Sequence, residues 1–250
     1  MTNLGCGVDI GGSGIKGALV DLDTGQFVTD RIKILTPQPA TPRAVAEVVA
    51  DIVEQLGWSG SVGITLPATV REQIACSAAN IDPSWIGTDL QELFGRALPH
   101  REITVLNDAD AAGLAEVAYG DERARRGAVI FLTFGTGIGS AFLLDGQLFP
   151  NTELGHLEVN GKIAERRASA AARERHEWSY ERWAKEVSKV LEVYEKLFSP
   201  GLFIAGGGIS RKAKRWIPKL SNRVEVIPAQ LRNTAGIVGA AQAADSVLRP

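Results

Sequence analysis

The sequence predicts an α/β protein built of two similar lobes, and three observations carry that prediction. Strand-like runs alternate with amphipathic helical stretches along the 250 residues. One device, a strand, a glycine turn and a returning strand, occurs once in each half, as DIGGSGIKGALVD and as TFGTGIGSAFLLD. A chain of this length holds either one large domain or two small lobes, each with a core of its own.

Residues 7–10 and 15–22 read as two strands joined across glycines, and 27–34 as a third. In TPRAVAEVVADIVEQLG, Val45, Val48, Val49, Ile52, Val53 and Leu56 mark one face of a helix. Thr41 suits its N-cap, Pro42 its first turn and Gly57 its stop. A strand at 61–66 precedes a loop through Pro67. A buried strand at 103–106 runs into Asn107-Asp108, which opens a helix stopped by Gly120. The second half starts with the strand GAVIFLTFG, the turn Gly135–Gly139 and the strand SAFLLDG. The Arg- and Ala-rich stretch 163–176 reads as a solvated helix. A long amphipathic helix over 180–198 sets Trp183, Val187, Val190, Leu191, Tyr194 and Leu197 on one face. The strand LFIAG enters Gly206-Gly207-Gly208, and a helix of small residues closes the chain from 234.

Bulk properties exclude several classes. A net charge of −2 and a pI near 6.0 provide no global field for a nucleic acid or an anionic membrane. No apolar run approaches the roughly 20 residues needed to cross a bilayer. The start, MTNLGCGVDIGG, lacks the basic-then-apolar pattern of a secretory leader. The two cysteines, Cys6 and Cys76, form no CxxC pair, which fits a reducing cytoplasm and argues against a disulfide scaffold or Cys-ligated zinc.

Gly12, Gly14 and Gly17 match G-x-G-x-x-G, the dinucleotide fingerprint. That fingerprint needs a helix after the glycines to hold the pyrophosphate. Here ALVDL follows, which is β-type, and the basic Arg31 and Lys33 stand where an acid is required, so the dinucleotide reading fails. What remains is a hairpin whose glycines turn backbone N–H groups into an anion-binding concavity. Lys16 adds a charge and Ser13 a hydroxyl, and Gly135-Thr136-Gly137-Ile138-Gly139 supplies the same device from the second half. Asp9 ends its strand at this cradle, where a carboxylate beside phosphates signals a divalent cation, Mg²⁺, held largely through water.

Asn107-Asp108-Ala109-Asp110 admits two readings. A carboxylate there can accept a proton from a hydroxyl during phosphoryl transfer, or Asn107 or Asp108 simply caps the helix. Asp110, one turn in, suits a dipole partner or structural contact. Glu153, His156 and Glu158 crowd into one short segment of the kind that recognises a polyol. Metal ligation by His156 and Glu158 is the rival, but two ligands with no cysteine or second nearby histidine make a poor site. His100 and His176 sit in polar surroundings.

Together these segments resemble the ROK sugar kinases of the actin-like ATPase superfamily. DIGGSGIKG matches the first phosphate motif, NDADAAGLAE the catalytic segment and LTFGTGIGSA the second phosphate motif. ELGHLE matches the sugar segment and AGGGIS the adenosine segment, all in family order. TPQPATP, AANIDPSWIGT, NTELGHLEV, AGGGISRKA and NTAGIVGAA are similar to the actinobacterial polyphosphate glucokinases within that family. The resemblance implies a two-lobed actin-like (ribonuclease H-like) fold with the active site in the inter-lobe cleft. Residues 1–108 and 234–250 would make the small lobe, and 109–233 the large one. It implies Asp108 as the base that activates the glucose 6-hydroxyl. Asn80, Asn107, Glu153, His156 and Glu158 would be sugar contacts. Asp9, Gly11, Gly12, Ser13, Gly14, Lys16, Gly135, Thr136, Gly137, Gly207 and Gly208 would form the donor site. It further implies Mg²⁺, a homodimer, and closure of the lobes over glucose.

Two departures qualify it. The Cys-rich zinc motif of many ROK proteins is replaced by VNGKIAERRAS, so no zinc is expected and His156 is left for sugar. Pro67 is followed by Ala68 where the family commonly has Gly, which bears on the loop beside the sugar. A polyphosphate donor would need a cationic track, for which Lys16, Lys162, Arg211, Lys212, Lys214 and Arg215 are candidates; a solvated helix face is the alternative for SRKAKRW. A kinase restricted to ATP, one accepting ATP or GTP beside polyphosphate, and a sugar-sensing repressor are the other readings. The repressor is expected to need a helix-turn-helix ahead of the first phosphate motif, where only eight residues precede Asp9.

Overall fold

The computed structural model describes residues 3–78 and 81–246. The chain divides into two compact units, 1–119 with 234–250, and 120–233. The helix after Asn107, which the sequence reading placed in the second portion, belongs to the first.

The first unit contains β1 (Leu4–Ile10), β2 (Ile15–Asp21), β3 (Gln26–Phe27), β4 (Ile32–Ile34), α1 (Pro42–Gln55) and β5 (Val62–Leu66). The short hairpin β6 (Val70–Arg71) and β7 (Ile74–Ala75) follows, then α2 (Leu90–Ala97), β8 (Ile103–Asn107) and α3 (Asp108–Tyr119). The sheet order is β3-β2-β1-β5-β8, with β4 also on β2; β1 and β2 are antiparallel, while β1, β5 and β8 run parallel. The expected third strand is split into β3 and β4. Between them the Leu19 N–H is taken by the Thr29 hydroxyl at 3.1 Å, a side chain standing in for a ladder carbonyl. Helix α1 forms as its sequence dictates: Thr41 accepts from the Ala44 N–H, Pro42 opens the helix and Gly57 turns the chain at φ +62°. Its buried face, Val45, Val49, Ile52 and Val53, packs with Val8, Ile15, Val62, Ile64 and Phe94. Cys6 lies in the same core, where burial pushes its thiol up to about 12 despite the nearby Arg101, so it acts as a small hydrophobe.

The second unit contains β9 (Ala128–Phe134), β10 (Ile138–Leu144), β11 (Gln147–Phe149), β12 (Glu158–Val159) and β13 (Lys162–Ile163). The helices α4 (Ala164–Ala168), α5 (Ala170–Arg175) and α6 (Tyr180–Phe198) precede β14 (Leu202–Gly206) and β15 (Val226–Pro228). Its sheet order is β11-β10-β9-β14-β15, again an antiparallel hairpin beside parallel strands. Each unit therefore repeats one plan, as the duplicated hairpin predicts. Helix α6 buries Trp183, Val187, Val190, Leu191 and Tyr194 against that sheet, whereas Leu197, assigned to the same face, is exposed in its last turn. The stretch 163–176 is not one solvated helix. Ser169 breaks it and caps α5 through the Ala172 N–H, and Ala164, Ala168 and Ala172 are buried. Arg167 reaches back at 2.5 Å to the buried Glu186, which Lys189 and Arg182 also contact at 2.9 and 3.2 Å. Burial works against the charge on Glu186, but hydrogen bonds from Lys189 and Arg167 prevail and hold its carboxyl below the usual range.

The last described element, α7 (Ala235–Asp245), returns to the first unit. A Cβ on Gly7 would overlap the carbonyl oxygen of Ile237, one on Gly63 that of Ala240, and one on Gly239 that of Ala111. Backbone thus rests on backbone, with β1 and β5 under α7 and α3 beside it. Gly63→Ala is expected to cost about 3 kcal/mol, the upper end for overpacking a close core. Urea denaturation with the m-value unchanged would check it, and a loss under 1 kcal/mol would show that α7 can lift off.

Candidate active site

In the first unit β1 and β2 bring Asp9 and Lys16 opposite each other, with Lys16 Nζ 3.3 Å from Asp9 Oδ2. The parallel neighbour Thr65 donates to Asp9 Oδ1 at 2.9 Å, and the Cα of Gly236 on α7 lies close beside it. The carboxylate, 22% exposed, is therefore aimed by three elements. Between the strands, Gly11, Gly12, Ser13 and Gly14 form the turn. The Gly11 N–H donates to Gly14 O at 3.3 Å, and Thr36 donates its hydroxyl to Gly11 O at 2.5 Å. Gly12 and Ser13 are exposed at its tip. Gly14 is covered by the aliphatic stem of Lys33, the register partner of Lys16, so a second cation flanks the turn. Sequence reasoning used Lys33 only to reject a dinucleotide; β4 crossing back over β2 is what brings it there.

The two readings of Asn107-Asp108 separate at the start of α3. Asn107 is the cap: its Oδ1 accepts from the N–H groups of Ala109 and Asp110 at 2.8 and 3.2 Å, and its Nδ2 donates to Ala68 O at 3.2 Å. Asn107 thereby ties the helix to the Pro67-Ala68 loop, and Ala68 is accommodated there, buried. Asp108 accepts from the Ala109 N–H through Oδ1 at 2.9 Å, and its residue is exposed. Asp110 is fully buried, as a structural contact would be. Asn80, the remaining sugar candidate of this unit, lies outside the described residues.

In the second unit the turn Gly135-Thr136-Gly137 is closed by the Gly135 N–H donating to Gly137 O at 3.0 Å. It is pinned from outside by the Ala171 N–H of α5 donating to Gly135 O, also at 3.0 Å. Gly207, at φ +78°, packs its Cα against the backbone of Phe134 just before the turn, and Gly208 beside it is unobstructed.

The Glu153–His156 segment is held from beneath. The Ser140 hydroxyl donates to Thr152 O at 2.7 Å and accepts from the Leu154 N–H at 3.0 Å. Gly155 lies against the Ile138 carbonyl, and Tyr194 donates to Leu154 O at 2.6 Å. Burial pushes the Tyr194 phenol up, so it stays a donor at neutral pH. Glu153 Oε2 lies 3.7 Å from His156 Nδ1, and Glu165 Oε1 lies 4.0 Å from His156 Nε2. Glu158 instead opens β12 opposite Ile163 on the β13 hairpin, and no described contact joins it to this group. Glu165, on α4, also fills the space over Gly137, so it touches the phosphate turn as well as the histidine. It was missed because the β12–β13 reversal, invisible in residue spacing, carries it back.

Among the described residues no three His, Cys, Asp or Glu side chains are grouped to cage a metal. That suits Mg²⁺, which takes one or two carboxylates and completes its shell with water and phosphate oxygens. Asp9 fits such a role, and Lys16 beside it is a phosphate-seeking cation, with Lys33 over Gly14 the second.

The comparisons with known proteins agree with this layout. The profile of the ROK family matches residues 5–169. A polyphosphate glucokinase of Mycobacterium tuberculosis is 57% identical over 239 residues, 96% of this chain and 90% of that protein.

The chain belongs to the ROK family.

The solved inorganic polyphosphate/ATP-glucomannokinase of Arthrobacter sp. strain KM superimposes with a TM-score of 0.91 at 47% identity, covering 98% of this chain and 99% of that one. A ROK family glucokinase of Streptomyces griseus in complex with glucose and AMPPNP shares the fold at a TM-score of 0.81 and 24% identity, over 98% and 100% of the two chains. The ROK chain thus has the actin-like ATPase fold that its repeated sheets imply.

Removing the Ser140 support should loosen the segment without unfolding the protein. In Ser140→Ala the Leu154 amide is left without its acceptor, at a cost of about 1–3 kcal/mol. Hydrogen exchange is expected to quicken locally over residues 152–157; unchanged protection there would show that Tyr194 and Gly155 suffice.

Proposed function

We propose that this ROK protein is a polyphosphate-dependent glucokinase that transfers a phosphoryl group from inorganic polyphosphate to the 6-hydroxyl of glucose, with Asp108 as general base. The observation that carries the reading is the division of labour at the start of α3. Asn107 caps the helix through two N–H groups, and Asp108, with its Oδ1 on the Ala109 N–H, presents an exposed carboxylate at the same helix start. Identity of 57% to a polyphosphate glucokinase supports the donor and the sugar.

In this reading glucose is held by Glu153, His156 and Glu165, with Asn107 fixing the loop at Ala68. Asp108 accepts the 6-hydroxyl proton as the oxygen–phosphorus bond forms. The bridging oxygen–phosphorus bond breaks in line, and the donor leaves one phosphate shorter. Lys16, Lys33 and the N–H groups of both glycine turns steady the charge on the transferring group. Mg²⁺, for which Asp9 is the carboxylate, would neutralise donor oxygens when bound. Gly207-Gly208 and the polyphosphate/ATP pairing in the Arthrobacter relative's name support ATP as a second donor.

We further infer a cytoplasmic homodimer without nucleic-acid or membrane partners. No described helix is long and apolar enough to span a bilayer. Phe149 and Phe198, both exposed and both packed on Phe142, offer an apolar face of the kind a second copy covers.

Asp108→Asn keeps the local shape and removes the base. It is expected to lower kcat by roughly 10²–10⁴-fold while glucose affinity, read by calorimetry, and the melting temperature hold. Turnover within a few-fold of wild type would remove Asp108 from the mechanism.

A further inference from the structure

The stretch 163–176 and the segment after Gly207-Gly208 are separate in sequence, yet the fold brings one arginine from each onto a single ring. The guanidinium of Arg173 on α5 lies 4.2 Å from the centroid of Tyr180, and that of Arg215 lies 4.4 Å from it. The two positive charges are therefore no more than about 9 Å apart, close to one Debye length at physiological salt. Among the described residues neither makes an ion pair with a carboxylate. The Nε of Arg173 is buried without a hydrogen-bond partner. Glu174, Glu177 and Glu181 stand exposed on the same stretch, but none is engaged by either arginine. An aromatic ring offsets only about 1 kcal/mol per cation at a partly exposed site. Two unneutralised guanidinium groups on one ring thus leave a charge for an anion to meet.

This pair is fixed beside the second phosphate turn. Two residues before Arg173, the Ala171 N–H holds the Gly135 carbonyl. Close by in the chain, Phe134, Trp183 and Trp216 form a trio with centroids 4.8 to 5.8 Å apart. Phe134 precedes Gly135, Trp183 is one turn beyond Tyr180, and Trp216 follows Arg215. The glycine turn, Tyr180 and Arg215 are therefore each tied through the chain to one aromatic cluster.

We propose that Arg173 and Arg215, gathered on Tyr180, form an anion subsite that holds the phosphates of inorganic polyphosphate beyond those cradled by Gly135–Gly137. This rests on the polyphosphate reading of the donor. It narrows the cationic track to a defined pair and adds Arg173 to it. Arginine suits the role because its fork gives paired hydrogen bonds to phosphate oxygens while its plane stays on the ring.

The test is the KM of wild type and of Arg173→Gln/Arg215→Gln for long-chain polyphosphate, tripolyphosphate and ATP, at low and high salt. The KM for long-chain polyphosphate should rise about tenfold at low salt, as for lost charge-assisted contacts, and less at high salt. The values for ATP and glucose should stay within twofold. An unchanged polyphosphate KM in a wild-type background that uses polyphosphate, or an equal rise with ATP, overturns the subsite alone. A wild type that phosphorylates glucose from ATP and never from polyphosphate overturns the donor reading and the subsite with it. If the double variant does not fold, Arg215→Gln at its exposed position is expected to give the same selective rise, and no rise would count against the pair.

Discussion

The contact on which the first unit depends is the bare approach of α7 to β1 and β5, backbone to backbone at Gly7 and Gly63. Through it the last helix of the chain closes the core begun by the first strand. The same helix carries Gly236 to the side of Asp9 and, at Gly239, receives the backbone of α3 at Ala111. Asp9 and Asp108, on different elements, are thereby referred to one rigid helix. Small residues achieve what large ones cannot here, because any Cβ at these points would wedge the layers apart.

The second unit repeats the sheet but anchors its glycine turn differently. Strand β9 carries no glycine for such an approach; α5 bonds the Gly135 carbonyl, and Phe134 just before the turn packs with Trp183 and Trp216. The sugar segment hangs from the same hairpin through Ser140 and from α6 through Tyr194. The phosphate turn and the Glu153–His156 segment are thus positioned by the same end of one strand pair, β9 and β10. Glu165 touches both.

Much of this was legible in the residues. Both hairpins, the caps of α1, the buried strand into Asn107 and the duplication follow from local patterns that tertiary contacts do not override. What stayed hidden depends on reversals of the chain. Residue spacing grouped Glu158 with Glu153 and His156, whereas the β12–β13 hairpin pairs Glu158 with Ile163 and brings Glu165 back to within 4.0 Å of His156. The stretch 163–176 looked solvated because its arginines and glutamates make it highly charged. Its alanines are what the fold buries, and Arg167 is drawn in by Glu186. At Asn107-Asp108 the sequence permitted either residue to cap, and only side-chain geometry assigns that role to Asn107.

The central claim is that the phosphate cradle accepts an inorganic chain. The direct measurement is glucose 6-phosphate formed by the purified protein in Mg²⁺ with polyphosphate as the sole phosphoryl donor, every nucleotide removed. Sustained formation of glucose 6-phosphate, with loss of polyphosphate in step, is the predicted result. Formation with ATP or GTP but none with polyphosphate would contradict it.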